Sequence, residues 1–487
     1  MLLSGDGRVL GRGYAEFAQH FPRPGWVEHD ADEIWKVTCD VVRRALESAG
    51  GPVAVAVEGI GITNQRETVV LWDRETLEPV HRAIVWQDRR TAPICRELKG
   101  AGLEAEFRRR TGLVLDPYFS GTKVRWILDA HPELRVRAEA GEIAMGTIDS
   151  WLIARLTGGS VHATDPTNAS RTLLYSLDEA TWDPWLLEQL GVPPSILPEI
   201  RRSSGDFGVA DGSAMGIEAP ITGVAGDQQA ALFGQGCWAP GLAKNTYGTG
   251  AFLLQYTGVR PPDSASGLLT TAACDVTGGL GFALEGSVFI AGAAIQWLRD
   301  GLGILESAQE SEDLAASLDG NDGVYLVPAF VGLGAPHWEP EARGTLVGLT
   351  RGTTRAHLAR AALEAMAYSS HDVLVAMASD SGIATTELRV DGGATTNDWL
   401  MRFQAGILGI PVRRPEMVET TALGAAGLAG IHAGVWEDAP AFLEAFGTHE
   451  RFEPDLDTFP REALIDGWNR AVASALGWAR SQEEEAE

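Results

Sequence analysis

The sequence predicts a mixed α/β protein built from two large domains. Its length of 487 residues exceeds the usual size of one domain, and its 45% hydrophobic content is enough for two cores. Strand and helix patterns alternate along the whole chain. Near residue 237 a strand, a glycine turn and an alanine-rich helix give way to a new strand-rich section, so we place the domains at 1–236 and 237–487.

Both halves show this alternation in detail. A hairpin opens the chain, because LLSGDGRVLGRG has two short apolar runs around Gly5-Asp6-Gly7. The first half then predicts a helix at 31–49, a buried strand at 53–63, and helices at 87–110, 119–130 and 148–156. The second half predicts strands at 281–286, 323–329 and in LRVDGG, and helices at 355–378, 397–407 and 419–433.

The composition excludes several classes of function. With 39 Lys and Arg against 66 Asp and Glu, the formal charge is -27, which makes nucleic acid and anionic membranes unsuitable partners. No apolar run reaches the roughly 18 residues of a membrane span, and no signal peptide is visible. Cys39, Cys95, Cys237 and Cys274 form no Cys-x-x-Cys pair or metal-ligand spacing, which favours a reduced, cytoplasmic compartment.

Several catalytic motifs are missing from the sequence. It contains no Gly-x-x-x-x-Gly-Lys-Ser/Thr loop, no His-Glu-x-x-His pair and no Gly-x-Ser-x-Gly elbow. The glycines at 5, 7 and 11 resemble a dinucleotide fingerprint only loosely, because they lie in a hairpin pattern. Any phosphate site must therefore use other turns.

The segment GITNQRET at 61–68 predicts one wall of a ligand site. It places Arg66 and Glu67 directly after a buried strand, where α/β folds commonly hold ligands. A guanidinium donates hydrogen bonds and a carboxylate accepts them, which suits a ligand with several hydroxyl groups. The alternative is an ion pair that only caps the loop.

The segment GVAGDQQAALFGQ at 223–235 predicts a second part of the site. A strand ends at Gly226, and Asp227 and Gln228 begin an alanine-rich helix. Glycine permits close approach of the backbone, and a helix N-terminus favours anions. The alternative is that Asp227 is a helix N-cap without a chemical role.

Two further glycine turns predict a phosphate site. NTYGTG at 245–250 holds Gly248, Thr249 and Gly250, whose backbone N–H groups and hydroxyl can cradle a phosphate. RVDGGATTN at 389–397 ends another strand in a double glycine before a helix. A plain hairpin is the alternative for each turn.

Three aromatic residues are candidates for contact with the ligand. Trp86 in AIVWQDRR and Phe252 after the Gly-Thr-Gly turn can flank an aliphatic ligand, and Tyr118 in DPYFSGTK carries a hydroxyl. Core packing is the alternative for all three.

At these segments the chain closely resembles the glycerol kinases of the FGGY carbohydrate kinase family. The resemblance covers nearly the whole chain. It is carried by PGWVEHD, GITNQRET, AIVWQDRR, DPYFSGTKVRWILD, TDPTNASRT, AGDQQAALFGQ, AKNTYGTG, AGAAIQWLRD, VPAFVGLGAPHWEPEARG and LRVDGGATTNDWLMRFQA.

The resemblance implies two ribonuclease-H-like domains of the actin-like ATPase type with a cleft between them, transfer of phosphate from ATP with Mg²⁺ to glycerol, and a homo-oligomer. Asp227 would be the base. The residues implied to contact glycerol are Arg66, Glu67, Trp86, Tyr118, Asp227, Gln228 and Phe252. Those implied to hold the nucleotide are Gly248, Thr249, Gly292, Gln296, Gly393 and Asn397.

The chain departs from the family at its start. In the family a first strand and an Asp-Gly-Thr-Thr-type loop precede the strand that MLLSGDGRVLG resembles, and that loop supplies a Mg²⁺-linked carboxylate. We therefore expect the natural polypeptide to begin about 15 to 20 residues upstream of Met1, a length set by a strand and a loop. The metal ligands stay unassigned.

Other functions remain open at this point. One alternative is another kinase of the same family that acts on a pentulose or a gluconate. A second is a relative that binds glycerol without catalysis, either as a sensor or as a binding subunit, and an interaction scaffold is a third. Turnover of a substrate panel with ATP separates these possibilities.

Overall fold

The computed structural model describes residues 1–51, 56–447, 449–455 and 460–486, with side chains to residue 479. It confirms the mixed α/β class. The division of the chain into domains at residue 237 stays a prediction. Residues 53–55 of the strand predicted at 53–63 lie outside the described residues, and the observed strand runs Ile60–Asn64.

In the first half, the strands lie in small sheets. They are β1 (Leu2–Leu3), β2 (Val9–Gly11), β3 (Glu28–His29), β4 (Ile60–Asn64), β5 (Val70–Asp73), β6 (Ala83–Ile84), β7 (Ile143–Gly146), β8 (Ala163–Thr164), β9 (Tyr175–Ser176), β10 (Thr181–Trp182), β11 (Glu199–Ile200), β12 (Val209–Ala210) and β13 (Ala219–Gly226). The helices are α1 (Ala31–Ser48), α2 (Ala92–Gly100), α3 (Glu104–Thr111), α4 (Ser120–Ala130), α5 (Pro132–Glu139), α6 (Ile148–Leu156), α7 (Pro166–Ala169), α8 (Pro184–Leu190), α9 (Gly212–Met215) and α10 (Asp227–Gly234).

In the second half, most strands join one large sheet. They are β14 (Leu242–Tyr247), β15 (Ala251–Gly258), β16 (Leu269–Cys274), β17 (Leu280–Val288), β18 (Tyr325–Val327), β19 (Thr345–Val347), β20 (Glu387–Gly392), β21 (Val412–Pro415) and β22 (His449–Phe452). The helices are α11 (Gly292–Gln296), α12 (Glu310–Ala316), α13 (Arg355–Ser381), α14 (Asp398–Leu408), α15 (Thr420–His432), α16 (Ala439–Phe446) and α17 (Arg461–Ala486).

Local signals explain where several helices begin and end. The Asp30 side chain accepts hydrogen bonds from the backbone N–H groups of Asp32 and Glu33, so α1 starts one residue later, as predicted. The single helix predicted at 87–110 is wrong. Two helices, α2 and α3, form instead, because the chain turns through Gly102 at φ +75, a left-handed conformation that an α-helix does not contain.

The large sheet of the second half has the strand order β16-β17-β15-β14-β20-β21-β22. Strands β14, β20 and β21 run parallel to their neighbours in that group, and the other pairs are antiparallel. The long helix α13 packs on this sheet, and its buried Met366 and Tyr368 share one core with Leu253, Leu284 and Val390. Among the described residues of the first half, sheets contain only two or three strands.

Helix α15 brings the two halves together. It packs on α10, β4 and β13 of the first half. A methyl group on Gly424 would lie 1.8 Å from the Ala230 carbonyl oxygen, and one on Gly234 would lie 2.3 Å from the Thr420 carbonyl oxygen. Glycine is therefore required at both positions for this close helix–helix approach.

Candidate active site

Two adjacent strand ends place the first group of predicted residues together. Strands β4 and β13 are parallel, with Asn64 opposite Gly226. Arg66 and Asp227 follow these ends at the same edge of the sheet, where open α/β sheets bind ligands. The Arg66 Nε atom lies 3.2 Å from Asp227 Oδ1.

One face of the large sheet supplies the opposite side of the site. Thr246 on β14 pairs with Phe252 on β15, which pairs with Ser287 on β17. In the next row of the same face, Lys244 pairs with Leu254, which pairs with Glu285. Directly paired side chains point to the same side of a sheet, so Lys244, Phe252 and Glu285 share a face.

A buried network of four charged side chains joins the two sides. Arg66 donates from Nη1 to Glu285 Oε2 at 2.6 Å and from Nη2 to Glu285 Oε1 at 3.1 Å. Arg171 donates from Nη2 to Glu285 Oε1 at 3.0 Å and from Nε to Glu67 Oε1 at 2.7 Å. All four residues are at most 3% exposed. Each charge thus has an opposite partner, as burial requires.

Glu285 is held ionised by this network. Burial opposes its ionisation, but the guanidinium groups of Arg171 and Arg66 outweigh that effect and lower the pKa of the Glu285 carboxyl to about 2. The same bidentate contact fixes the plane of the Arg66 guanidinium. One Arg66 N–H and the Glu67 Oε2 atom keep no hydrogen-bond partner among the residues described, so a donor and an acceptor remain for a ligand.

The backbone of Glu67 is in an unusual conformation. Its φ is +61, in the left-handed region that residues other than glycine rarely adopt. Such strain persists where the surroundings over-determine it, commonly at functional sites. The Glu67 carbonyl oxygen accepts a hydrogen bond from Ser120 Oγ at 3.0 Å, and Arg171 holds the side chain. Arg66 and Glu67 therefore belong to a larger buried ion-pair network and are not an isolated pair at the loop.

Asp227 is not a helix N-cap. Gly226 occupies the cap of α10, and no side-chain cap bond is formed there. Instead, the Asp227 carboxylate accepts hydrogen bonds from the Gln228 backbone N–H at 2.8 Å and from Gln228 Nε2 at 3.3 Å. Its side chain is 36% exposed, in contrast to the buried network beside it. It is therefore a carboxylate that a ligand can reach.

The three aromatic candidates are half-buried rather than fully packed in a core. The Tyr118 ring meets Trp86 edge-on with centroids 5.5 Å apart, and the Arg171 guanidinium lies 5.7 Å from the Tyr118 ring centroid. Phe252 lies on the cleft-facing row of the large sheet. Burial raises the pKa of Tyr118, so its hydroxyl stays protonated and can donate.

The glycine turns form a separate, more open group. Tyr247 pairs with Gly392, so the turns after β14 and β20 lie side by side at the ends of parallel strands. The Gly248–Gly250 turn does connect the antiparallel hairpin β14–β15, as one alternative held. The turn also contacts the start of α11. The Gly248 carbonyl oxygen accepts a hydrogen bond from Gly292 N at 3.1 Å, and the Thr249 carbonyl oxygen accepts one from Ala291 N at 2.8 Å.

These turns leave space for a ligand. Gly248, Thr249, Gly393 and Gln296 are exposed. A methyl group on Gly393 would meet nothing within 4 Å, whereas one on Gly292 would meet Gly248 O at 2.6 Å. Asn397 caps α14 by accepting from Leu400 N at 2.8 Å, and its side-chain NH₂ has no partner in the described part of the chain. An open cradle with free donors fits the phosphates and sugar of a nucleotide.

A metal ion that arrives with a nucleotide needs few ligands from the protein. Across residues 1–51, 56–447, 449–455 and 460–486, no group of three or more His, Cys, Asp or Glu side chains can hold an ion. Mg²⁺ in nucleotide sites usually takes one or two carboxylates plus phosphate oxygens. The residues that would hold such an ion stay unassigned.

Sequence reasoning missed three residues of this site. Glu285 lies in the middle of an apolar strand, Arg171 follows the short helix α7, and Lys244 lies on β14 two residues before Thr246. All three are buried and charged. A charged residue inside an otherwise apolar strand was the only local signal, and it does not reveal the partner.

The arrangement offers binding groups for both a polyol and a phosphate. The buried network offers fixed donors and acceptors to hydroxyl groups, the aromatic residues offer apolar faces, and the glycine turns offer backbone N–H groups to phosphates. The Asp227 carboxylate, beside the network and accessible, can accept a proton. None of the helices in the described ranges is long and apolar enough to cross a bilayer.

Comparison with known proteins shows the family of the chain. The N-terminal domain of the FGGY family of carbohydrate kinases matches residues 1–234, and the C-terminal domain of that family matches residues 243–433. The glycerol kinase of Trichlorobacter lovleyi is 57% identical over 475 residues, which cover 98% of this chain and 96% of the relative. That of Carboxydothermus hydrogenoformans is 55% identical over 480 residues, with 98% and 96% covered.

Solved structures show the same fold. The crystal structure of Plasmodium falciparum glycerol kinase with ADP superimposes with a TM-score of 0.90 at 35% identity, covering 95% of this chain and 92% of that chain. A xylulose kinase from Lactobacillus acidophilus gives a TM-score of 0.84 at 21% identity, over 95% and 92%, which supports the fold alone.

Proposed function

Because the chain belongs to the FGGY family of carbohydrate kinases, with its two-domain, actin-like fold, we propose that it is a glycerol kinase that transfers the γ-phosphoryl group of ATP to glycerol. The product is sn-glycerol 3-phosphate. The observation that carries the substrate assignment is the fixed set of Arg66, Glu67 and Asp227, supported by relatives at 53–57% identity that are glycerol kinases.

The polyol side follows from the hydrogen-bonding inventory of the site. The remaining Arg66 N–H and the Tyr118 hydroxyl donate to hydroxyl oxygens, while Glu67 Oε2 and Asp227 accept hydroxyl protons. Trp86 and Phe252 lie against the carbon chain, and Gln228 supports the end nearest Asp227. A three-carbon polyol has few atoms, so fixed donors and acceptors matter more than apolar contact area.

The transfer step uses Asp227 as general base. A terminal hydroxyl of glycerol loses its proton to the Asp227 carboxylate as its oxygen forms a bond to the γ-phosphorus. The bond from that phosphorus to the bridging oxygen of ADP breaks in line. Positioning and electrostatic stabilisation supply most of the rate enhancement in such reactions, and a positioned base typically contributes about 10² to 10⁴-fold.

The nucleotide side is proposed at the glycine turns. Gly248, Thr249 and Gly393 would contact the phosphates through backbone N–H groups and a hydroxyl, and Gly292, Gln296 and Asn397 would hold the remainder of ATP. When bound with ATP, Mg²⁺ neutralises charge on the phosphates. The carboxylate that would hold the ion stays unassigned, because Asp227 is proposed as the base.

A coupled assay of ADP formation with a substrate panel tests the proposal. We expect glycerol-dependent turnover that exceeds turnover with xylulose or gluconate, and product identified as glycerol 3-phosphate by mass spectrometry. Faster turnover of xylulose or gluconate would assign the chain to another kinase of the family. Calorimetric binding of glycerol without ADP formation would instead indicate a non-catalytic binding protein.

A further inference from the structure

A buried lysine lies next to the base without forming an ion pair. Lys244 is fully buried on β14. Its Nζ donates to the side-chain Oε1 of Gln228 and, at 2.9 Å, to Thr246 Oγ1. In the part of the chain that the structure describes, no carboxylate is in ion-pair contact with Nζ. A buried ammonium whose partners are both neutral is costly to keep, so it requires a functional explanation.

The contact with Gln228 determines which way that amide faces. An ammonium can only donate hydrogen bonds, so it selects the carbonyl end of the amide. The NH₂ end then faces the base, and Gln228 Nε2 donates to Asp227 Oδ2 at 3.3 Å. The other carboxylate oxygen, Oδ1, accepts from the Gln228 backbone N–H at 2.8 Å and lies 3.2 Å from Arg66 Nε.

The geometry points to a relay in which Lys244 is a positioning residue that acts on Asp227 through Gln228. This inference rests on the proposed kinase function. With Lys244 in place, both carboxylate oxygens of the base face donors, and the carboxylate keeps one orientation. Without it, the Gln228 amide is free to turn its carbonyl oxygen towards the Asp227 carboxylate, which repels it.

Charges around Lys244 support this role. Burial lowers the pKa of Lys244 to about 8. The carboxylates of Asp391, Asp227 and Glu285 favour the charged form of the lysine, and the positive charge of Arg66 disfavours it. These carboxylates act at a distance rather than by contact. Because no single carboxylate pairs with the ammonium, its closest polar contacts are the neutral groups of Gln228 and Thr246. This agrees with a role in orienting Gln228.

Lys244→Met tests the inference in a double-mutant cycle with Gln228→Leu. We expect Lys244→Met to lower kcat with glycerol roughly 10- to 100-fold, the loss of one hydrogen bond to a charged group, and to leave the KM for ATP nearly unchanged. In the Gln228→Leu background, Lys244→Met should cause little further loss, because both act on Asp227 through one contact. Thr246→Val, which removes the other acceptor, should cost less than Lys244→Met.

Two kinetic results with Lys244→Met would overturn the inference. Additive losses in the cycle would show that Lys244 acts independently of Gln228, and a raised KM for ATP with normal kcat would show that it contacts the nucleotide. If Lys244→Met does not fold, Gln228→Glu supplies the test. It keeps the shape and the Lys244 contact but removes the N–H donor, so normal kcat in Gln228→Glu would contradict the relay.

The test separates this inference from the proposed function. If the wild type phosphorylates glycerol but the losses in the double-mutant cycle are additive, the kinase function is supported and the relay is contradicted. No wild-type turnover removes the kinase function, and crystal structures of the wild type and Lys244→Met then decide the relay. A Gln228 amide that leaves Asp227 in the variant supports it, and an unchanged contact overturns it.

Discussion

The proposed polyol side and the proposed nucleotide side of the cleft are built in opposite ways. On the polyol side, Arg66, Glu67, Arg171 and Glu285 are almost completely buried and fix one another by ion pairs before any ligand binds. On the nucleotide side, Thr249 and Gly393 are exposed, and they offer backbone groups at turns. Charged side chains provide the first surface, and backbone geometry provides the second.

This difference predicts different sensitivities. A preorganised charged network discriminates strongly against ligands that lack a hydroxyl, because its polar groups would then lose their partners. A turn that binds phosphate by N–H groups depends instead on open space and on conformation. Substitutions on the polyol side should therefore change charge balance and stability, while those on the nucleotide side should change nucleotide affinity alone.

The largest effect is expected where the two sides meet, at Asp227. Asp227→Asn keeps the size of the side chain and removes the base, so kcat should fall by about 10² to 10⁴-fold while glycerol binding persists. Steady-state kinetics with calorimetric titration of glycerol measures both quantities. Near-normal turnover in Asp227→Asn would contradict the assignment of the base.

On the polyol side, Glu285→Gln should be the most damaging change to the network. It leaves two buried guanidinium groups with fewer counter-charges, so the free energy of unfolding should fall by about 3 kcal/mol and the KM for glycerol should rise more than roughly tenfold. Chemical denaturation and kinetics measure these changes. The control is Asp300→Asn at the exposed Arg299–Asp300 pair, where side chains are 38% and 63% exposed and less than about 1 kcal/mol is expected.

On the nucleotide side, Gly393→Val should fill the open cradle. Its position has nothing within 4 Å and no positive φ, so the fold should tolerate the change. We expect the KM for ATP to rise roughly tenfold, which corresponds to about 1.4 kcal/mol, with the KM for glycerol unchanged. Gly100 is equally open and lies at the end of α2, so Gly100→Val is the control. An equal rise in both KM values would show that the two sides are not separable.

The smallest effect on turnover is expected at Asp149, a buried carboxyl outside both sides. Burial, with a contribution from Asp165, raises the pKa of Asp149 to about 7. The folded protein therefore holds a proton that the unfolded chain releases near pH 4, so wild-type stability falls as the pH rises between these values. Asp149→Asn should keep its turnover and gain stability relative to the wild type between about pH 5 and pH 8. A thermal-unfolding difference that is the same at both pH values would contradict this.

The sequence predicted those parts of the site that lie at turns. Asp227 directly follows a strand, Arg66 and Thr249 each lie two residues beyond a strand end, and such strand ends are visible locally. Most helix positions were predictable for the same reason, since caps and periodicity act within a few residues. The split of 87–110 into α2 and α3 was missed because a glycine alone does not show that its φ is positive.

The partners of these residues could not be predicted. Arg66 and Glu285 are 219 positions apart, and they meet only because β17, a strand of the large sheet, lies opposite the loop that follows β4. Nothing near Glu285 in sequence indicates a guanidinium. The contact of Gln228 on α10 with Lys244 on β14 is likewise long-range. Long-range packing, rather than local propensity, decides these contacts.

The Arg66–Glu285 contact also limits how this protein can be recombined. Arg66 belongs to the proposed segment 1–236, and its bidentate partner belongs to the proposed segment 237–487. A chimera that exchanges the second segment with that of another kinase would therefore also exchange the side chain that fixes the polyol-binding guanidinium. Substrate choice in such hybrids should follow the donor of position 285 as well as the donor of the first segment, so selectivity is inherited from both parents.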